Sequence, residues 1–156
     1  MENKLIFKPA KLDVLAIGIT TIIVIIFFGF LISAFLFENY FWPGMLGAFI
    51  ILAVLITSYI YKPISFELNH DDLTIYRPLG IRSKRYGVRE PKRTLASGTR
   101  TFGIGGVFGY FGWFNGNEEW FVTNLKKGVK MKSGNKTLII SPEDPDSFVE
   151  QLSKVS

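Results

Sequence analysis

The chain has 156 residues, with 18 lysines and arginines against 13 aspartates and glutamates, one histidine and no cysteine. That length holds one modest domain plus some additional segments. The lack of cysteine removes thiol nucleophiles, disulfides and cysteine-rich metal sites.

From Val14 to Phe37 the sequence "VLAIGITTIIVIIFFGFLISAFLF" carries no charge, and after Glu38-Asn39-Tyr40 a second uncharged run extends from Phe41 to Tyr61. At about 1.5 Å per residue, a helix of either length spans the roughly 30 Å core of a bilayer. Both runs are apolar all round, unlike the one-sided helices of a soluble domain. A cleaved signal peptide fits poorly, because the first run is long, lacks an A-x-A-like site and is followed almost at once by the second. The reading is a two-helix transmembrane hairpin, with spans at about 14–37 and 41–61 and residues 1–61 as its segment.

The three-residue connection requires an antiparallel hairpin with both chain ends on one side. Lys4, Lys8, Lys11 and Lys62 flank the open end and only Glu38 marks the tip, so the positive-inside rule puts both termini of a multi-pass membrane protein in the cytoplasm. Tyr40 and Trp42 at the tip, with Tyr59 and Tyr61 at the other end, suit the aromatic belts. No charge sits mid-span, which argues against an ion path or proton relay. Gly18 and Gly29 offer close helix approach, although not at GxxxG spacing.

Residues 62–156 read as mainly β. Ile64, Phe66 and Leu68 alternate with polar residues, "NHDD" (69–72) supplies a turn, and Leu73 and Ile75 resume the alternation. A third strand runs through "SKRYGV" (83–88), interrupted by Pro91. "EEWFVTN" (118–124), "GVKMKS" (128–133) and "KTLIIS" (136–141) follow as strands of an antiparallel meander. In "DPDSFVEQLSKV" (144–155), Asp144 is placed to cap, Pro145 suits the first helical position, and Phe148, Leu152 and Val155 share one face. About seven antiparallel strands and a C-terminal α-helix amount to a small barrel capped by that helix.

Charge concentrates in two places. Arg82, Lys84, Arg85, Arg89, Lys92 and Arg93 are crowded together with a single acid, Glu90, and Lys126, Lys127, Lys130, Lys132 and Lys136 form a second group. Near a cytoplasmic leaflet each such cation gains about 1 kcal/mol from anionic lipid, while the plain alternative is the solvated edge of a sheet. No nucleic-acid motif accompanies these groups, and no nucleic-acid partner is expected.

The stretch "GVFGYFGWF" (106–114) repeats glycine, an apolar residue and phenylalanine. The uncharged run Thr101–Phe114 is too short for a third span. Its period of three differs from the two-residue alternation of a strand, so it reads as a loop or a short helical turn. Its phenylalanines either complete the barrel core, or Phe108, Tyr110, Phe111, Trp113 and Phe114 seat the domain at the membrane interface, or they meet a membrane partner or a second copy of the chain.

The order of a short transmembrane hairpin, "LNHDDLTIYRP", "RTFGIGGVFGYFGWF" and "ISPEDPDSFVEQL" resembles the bacterial PH-domain family of small membrane-anchored proteins. The resemblance covers about Lys62 to Leu152 and implies a pleckstrin-homology-like fold, a curved seven-stranded barrel with a C-terminal helix. It brings no activity, because that barrel is a scaffold for many binding functions. Eukaryotic proteins of the fold are often phosphoinositide readers, an assignment bacterial members do not inherit.

Enzymatic features are sparse. His70 lies in the "NHDD" turn, where solvated turn chemistry explains it better than a metal site. The glycine stretch lacks the Gly-Lys-Ser/Thr ending of a phosphate loop. Glu118 and Glu119 point to opposite sides of a strand and make no acid/base pair. The expectation is a non-enzymatic binding or scaffold module without cofactor or metal. Its partners are the lipid bilayer with its anionic headgroups, a membrane protein or itself. The alternative is a non-catalytic accessory subunit of a larger membrane transport or enzyme complex, which would co-purify with a stoichiometric partner.

Overall fold

The computed structural model describes residues 4–70, 72–80, 84–97 and 100–155. Two long apolar helices, α1 (Val14–Leu36) and α2 (Phe41–Tyr61), are joined by a 3-10 turn at Glu38–Tyr40, as the uncharged runs predict. Each is long and apolar enough to cross a membrane. Their outer surfaces present Ile25, Phe35, Trp42 and Phe49 without protein cover. They meet through Gly44 and Gly47: a Cβ on Gly44 would fall 2.8 Å from the Ala34 Cβ, and one on Gly47 would fall 2.7 Å from the Phe30 ring. Gly44 and Ala48 form the small-xxx-small pair that lets backbones approach. Gly18 and Gly29, singled out above for this role, have nothing close to them.

Among the described residues the remainder is mainly β, with ten strands in two sheets rather than about seven in one barrel. A first antiparallel sheet has the order β1 (Leu5–Phe7), β2 (Ser65–Asn69), β3 (Asp72–Tyr76), β4 (Lys84–Gly87). The second contains β5 (Arg89–Thr94), β6 (Arg100–Gly105), β7 (Tyr110–Phe114), β8 (Glu118–Val122), β9 (Gly128–Ser133) and β10 (Lys136–Ile140), in the order β5-β9-β10-β8-β7-β6. The helix α3 (Pro145–Val155) closes the chain, its first turn capped by Asp144 Oδ1, which accepts from Ser147 N at 3.1 Å.

Several departures from the sequence reading have physical causes. The segment before α1 supplies β1, in register with β2 through Leu5↔Leu68 and Phe7↔Phe66. β10 pairs antiparallel with β9 but parallel with β8, so the meander is broken there. Leu138, Ile139 and Ile140 are all buried, which requires a strand covered on both faces and places β10 centrally. Pro91 lies inside β5 instead of ending a strand. The register shifts between Arg89 and Lys92, and β5 is an edge, where a missing N–H is tolerated.

Two cores result. Between the sheets and α3, Phe66, Leu68, Leu73, Ile75, Phe148 and Leu152 are fully buried, and Phe7 meets Phe148 edge-on at 4.9 Å. On the other face of the second sheet, Tyr110, Phe114, Trp120 and Ile139 pack against Ala16 in the first turn of α1. Glu118 ties this face together, accepting from Lys130 Nζ at 2.6 Å, Asn115 Nδ2 at 2.7 Å and Trp120 Nε1 at 3.2 Å. Burial alone would raise its pKa, but these bonds together outweigh burial and hold the carboxyl below its ordinary value of 4.5. A carboxylate depressed in the folded state stabilises above its unfolded pKa, and that contribution is lost as pH falls through the folded value. Acidification from pH 5 to about pH 3 is therefore expected to lower the Tm of the detergent-solubilised protein more than that of Glu118→Gln. Equal losses would remove Glu118 from the acid response.

Candidate functional site

The domain and the helices are joined at several points. Asp13, at the N-cap of α1, accepts from Ala16 N at 2.7 Å through Oδ1 and from Leu125 N at 3.1 Å through Oδ2. Its own N–H donates to Thr123 O at 3.1 Å. The preceding residues are fixed as well: Ala10 N donates to Ser141 O at 2.7 Å, and Thr123 Oγ1 donates to Ala10 O at 2.6 Å. The Tyr110 hydroxyl reaches toward Asp13 at 3.4 Å, and burial first, then the Asp13 charge, push its pKa up to about 12.

The glycine-aromatic stretch forms the hairpin β6–β7 and is the second joint. Its tip is closed by Gly106 N donating to Gly109 O at 2.8 Å. Phe108, at φ 54, donates its N–H to Thr20 Oγ1 at 3.0 Å, and its ring meets Tyr59 edge-on at 6.2 Å. The tip thus touches both helices. Gly106 has φ 93, and a Cβ there would sit 2.5 Å from Ile19 Cδ1; Gly103 has φ 136, and its Cβ would sit 2.2 Å from the Phe111 carbonyl oxygen. The glycines permit this approach of backbone to backbone and of hairpin to helix.

The stretch is therefore a strand and its turn, not a loop or helical turn. Phe111 and Phe114 are buried, and Phe114 stacks on Trp120 at 4.2 Å. Tyr110 is also buried. Phe108 and Trp113 remain partly exposed, Trp113 under the Lys136 ammonium at 4.7 Å.

Of the basic residues, Lys84 and Arg85 lie on β4 and Arg89, Lys92 and Arg93 on β5, all exposed; Arg82 lies outside the described residues, as does Asp71 of the turn. Lys84 pairs with Glu119 at 2.6 Å, Arg85 with Asp72 at 3.1 Å, and Arg93 with Asp146 at 3.0 Å. Among the described residues, Arg89 and Lys92 have no ion pair. The basic strand β5 and the glycine hairpin occupy opposite edges of the second sheet. With β9, β10 and β8 between β5 and β7, they are about 20 Å apart along the sheet and do not form one surface.

The structure brings together a different set of residues. At the end of the domain next to the helices, exposed Lys11 and Lys126 and half-exposed Lys62 accompany exposed apolar Ile64, Leu79 and Leu95. Leu79 is 78% exposed and held at φ 63, a left-handed conformation unusual for leucine. Asp13 stands directly before the apolar run, an N-cap signature that locates it in the sequence. Thr20, the buried Arg77 and Glu119, and the partly buried Tyr86 carry no local signal of this kind.

A mainly β domain with a C-terminal helix, borne on two apolar helices, defines the architecture, and the family follows from it. Residues 65–156, more than half of the chain, match the family model described as Bacterial PH domain. The chain belongs to that family, which points to a binding or scaffold module. No curated protein and no solved structure matches the chain.

Thr20→Val keeps side-chain volume but removes the acceptor for Phe108 N–H. Exchange of the Phe108 amide is expected to accelerate about five- to tenfold in the full chain, while amides of β2 and β3 stay as protected as before. Hydrogen–deuterium exchange measures both, and an unchanged Phe108 rate would mean that the tip is held by other contacts.

Proposed function

We propose that the chain is a membrane-anchored binding module in which α1 and α2 cross the bacterial inner membrane as a hairpin. The PH-like domain then lies on the cytoplasmic face, with both termini on that side. The observation that carries this reading is the double attachment at one end of the domain. Asp13 fixes the entry to α1, the β6–β7 tip clasps Thr20 and Tyr59, and only Lys62-Pro63-Ile64 separates α2 from β2. A domain so attached has one face turned permanently to the bilayer.

That face is suited to the interface. Lys11, Lys62 and Lys126 would each gain about 1 kcal/mol beside anionic headgroups, while Ile64, Leu79 and Leu95 offer apolar surface to the acyl boundary. Thr20 lies about 9 Å along α1 from Val14, so the hairpin tip, with Phe108, enters the interfacial layer. The strip on β4 and β5 contributes less to lipid contact. Lys84, Arg85 and Arg93 are paired, and Arg89 lies opposite Lys132, at the end of β5 away from Thr94, Gly128 and the helices.

The absence of cysteine makes topology directly measurable. In intact cells, a membrane-impermeant maleimide is expected to label Asn39→Cys at the hairpin tip and to leave Asn135→Cys, in the β9–β10 turn, unlabelled until lysis. The reverse pattern would overturn the orientation, and labelling of both in intact cells would overturn the two-span hairpin.

A further inference from the structure

Arg77 follows β3 and is 9% exposed. Its guanidinium carbon lies 5.0 Å from the ring centre of Tyr61, the last residue of α2, and 5.1 Å from that of Phe121 on β8. These rings attract the cation through their π faces but give its N–H groups no acceptor. Arg77 Nε is buried without a hydrogen-bond partner, and the guanidinium has no ion pair among the described residues.

A second buried donor stands beside it. The Tyr86 ring meets the same Phe121 edge-on at 6.2 Å, and its buried hydroxyl faces the Glu119 carboxylate but makes no hydrogen bond of good geometry among the described residues. Glu119 is the nearby carboxylate, 5% exposed, and its Oε1 is engaged by Lys84 Nζ at 2.6 Å. Lys84 is therefore the cation that Glu119 pairs with, and Arg77 has no carboxylate partner among the described residues. Burial first, then the Glu119 charge and the pull of that carboxylate on the hydroxyl proton, raise the Tyr86 pKa well above its ordinary value, so the phenol remains a proton donor at any physiological pH.

We propose that Arg77 and Tyr86 form a buried binding site for a single phosphate group, entered beside Tyr61 where α2 meets the domain. Guanidinium N–H groups and a phenol O–H are donors only toward such a ligand, and a phosphate offers several oxygens to accept from both at once. The anion also balances the charge that Glu119, committed to Lys84, leaves over. The phosphate comes either from a lipid headgroup at the interface or from solution. The lipid source rests on the membrane-anchored reading above; the dissolved source does not.

The test uses the full chain in neutral detergent and phosphate-free buffer, with thermal unfolding followed on adding short-chain phosphatidylglycerol, short-chain diacylglycerol or inorganic phosphate. A rise in Tm of about 5 °C near saturation is expected with phosphatidylglycerol and none with diacylglycerol. A matching rise with inorganic phosphate assigns the site to the dissolved anion, and a rise with the lipid alone assigns it to the headgroup. Arg77→Met is expected to abolish the response, and Tyr86→Phe to weaken apparent affinity about tenfold. Should Arg77→Met fail to fold, Tyr86→Phe, which removes one oxygen, carries the test. No rise with either phosphate source, or a Tyr86→Phe protein that responds like the parent, would overturn the site. Because the phosphate arm needs no bilayer, a failed cysteine topology and a failed site are separate results.

Discussion

The carboxylate of Asp13 is the interaction on which the architecture turns. One oxygen closes the first turn of α1 and the other holds the backbone at Leu125, so helix initiation and domain docking depend on the same group. A carboxylate at a helix N-terminus is favoured by the orphan N–H groups and by the dipole. Because Thr123 and Ser141 hold the residues just before it, the direction of α1 is set by the sheet. Ala16 then enters the second core as part of the domain, although it also belongs to an apolar helix.

Local pattern made some of this legible. The two apolar helices follow from the length of their uncharged runs, and the hairpin with Phe66, Leu68, Leu73 and Ile75 inward and α3 with Phe148 and Leu152 inward follow from periodicity and capping. What escaped was set by distant partners. Leu5–Phe7 is a strand because β2 offers it an edge, and three residues beside a lysine-rich tail give no periodicity to read. The glycine stretch failed as a strand signal because Phe111 and Phe114 lie three apart. They are nonetheless both covered, since parts of each face of β7 are covered.

The site divides in the same way. Clustered lysines and arginines are visible in sequence, but their partners Asp72, Glu119 and Asp146 come from other elements, and pairing removes much of their free charge. The exposed pairs among them, Arg85–Asp72 and Arg93–Asp146, contribute little to stability. Their main effect is to make the face less basic than its composition implies. Arg77, by contrast, is one cation between a tyrosine and a proline in sequence, and only the fold buries it against two rings.

The pairing of β1 with β2 places the entire helical hairpin between two adjacent strands. Under the proposed topology the first sheet cannot be completed during synthesis until both helices have entered the bilayer and the chain has returned to its starting side. A molecule in which only one helix inserts keeps β1 and β2 on opposite faces of the membrane. Its β2 edge is left open, and the place of Phe7 against Phe148 stays unfilled. An open strand edge invites pairing with other chains. Under the proposed topology, insertion of both helices is thus the condition for a closed first sheet.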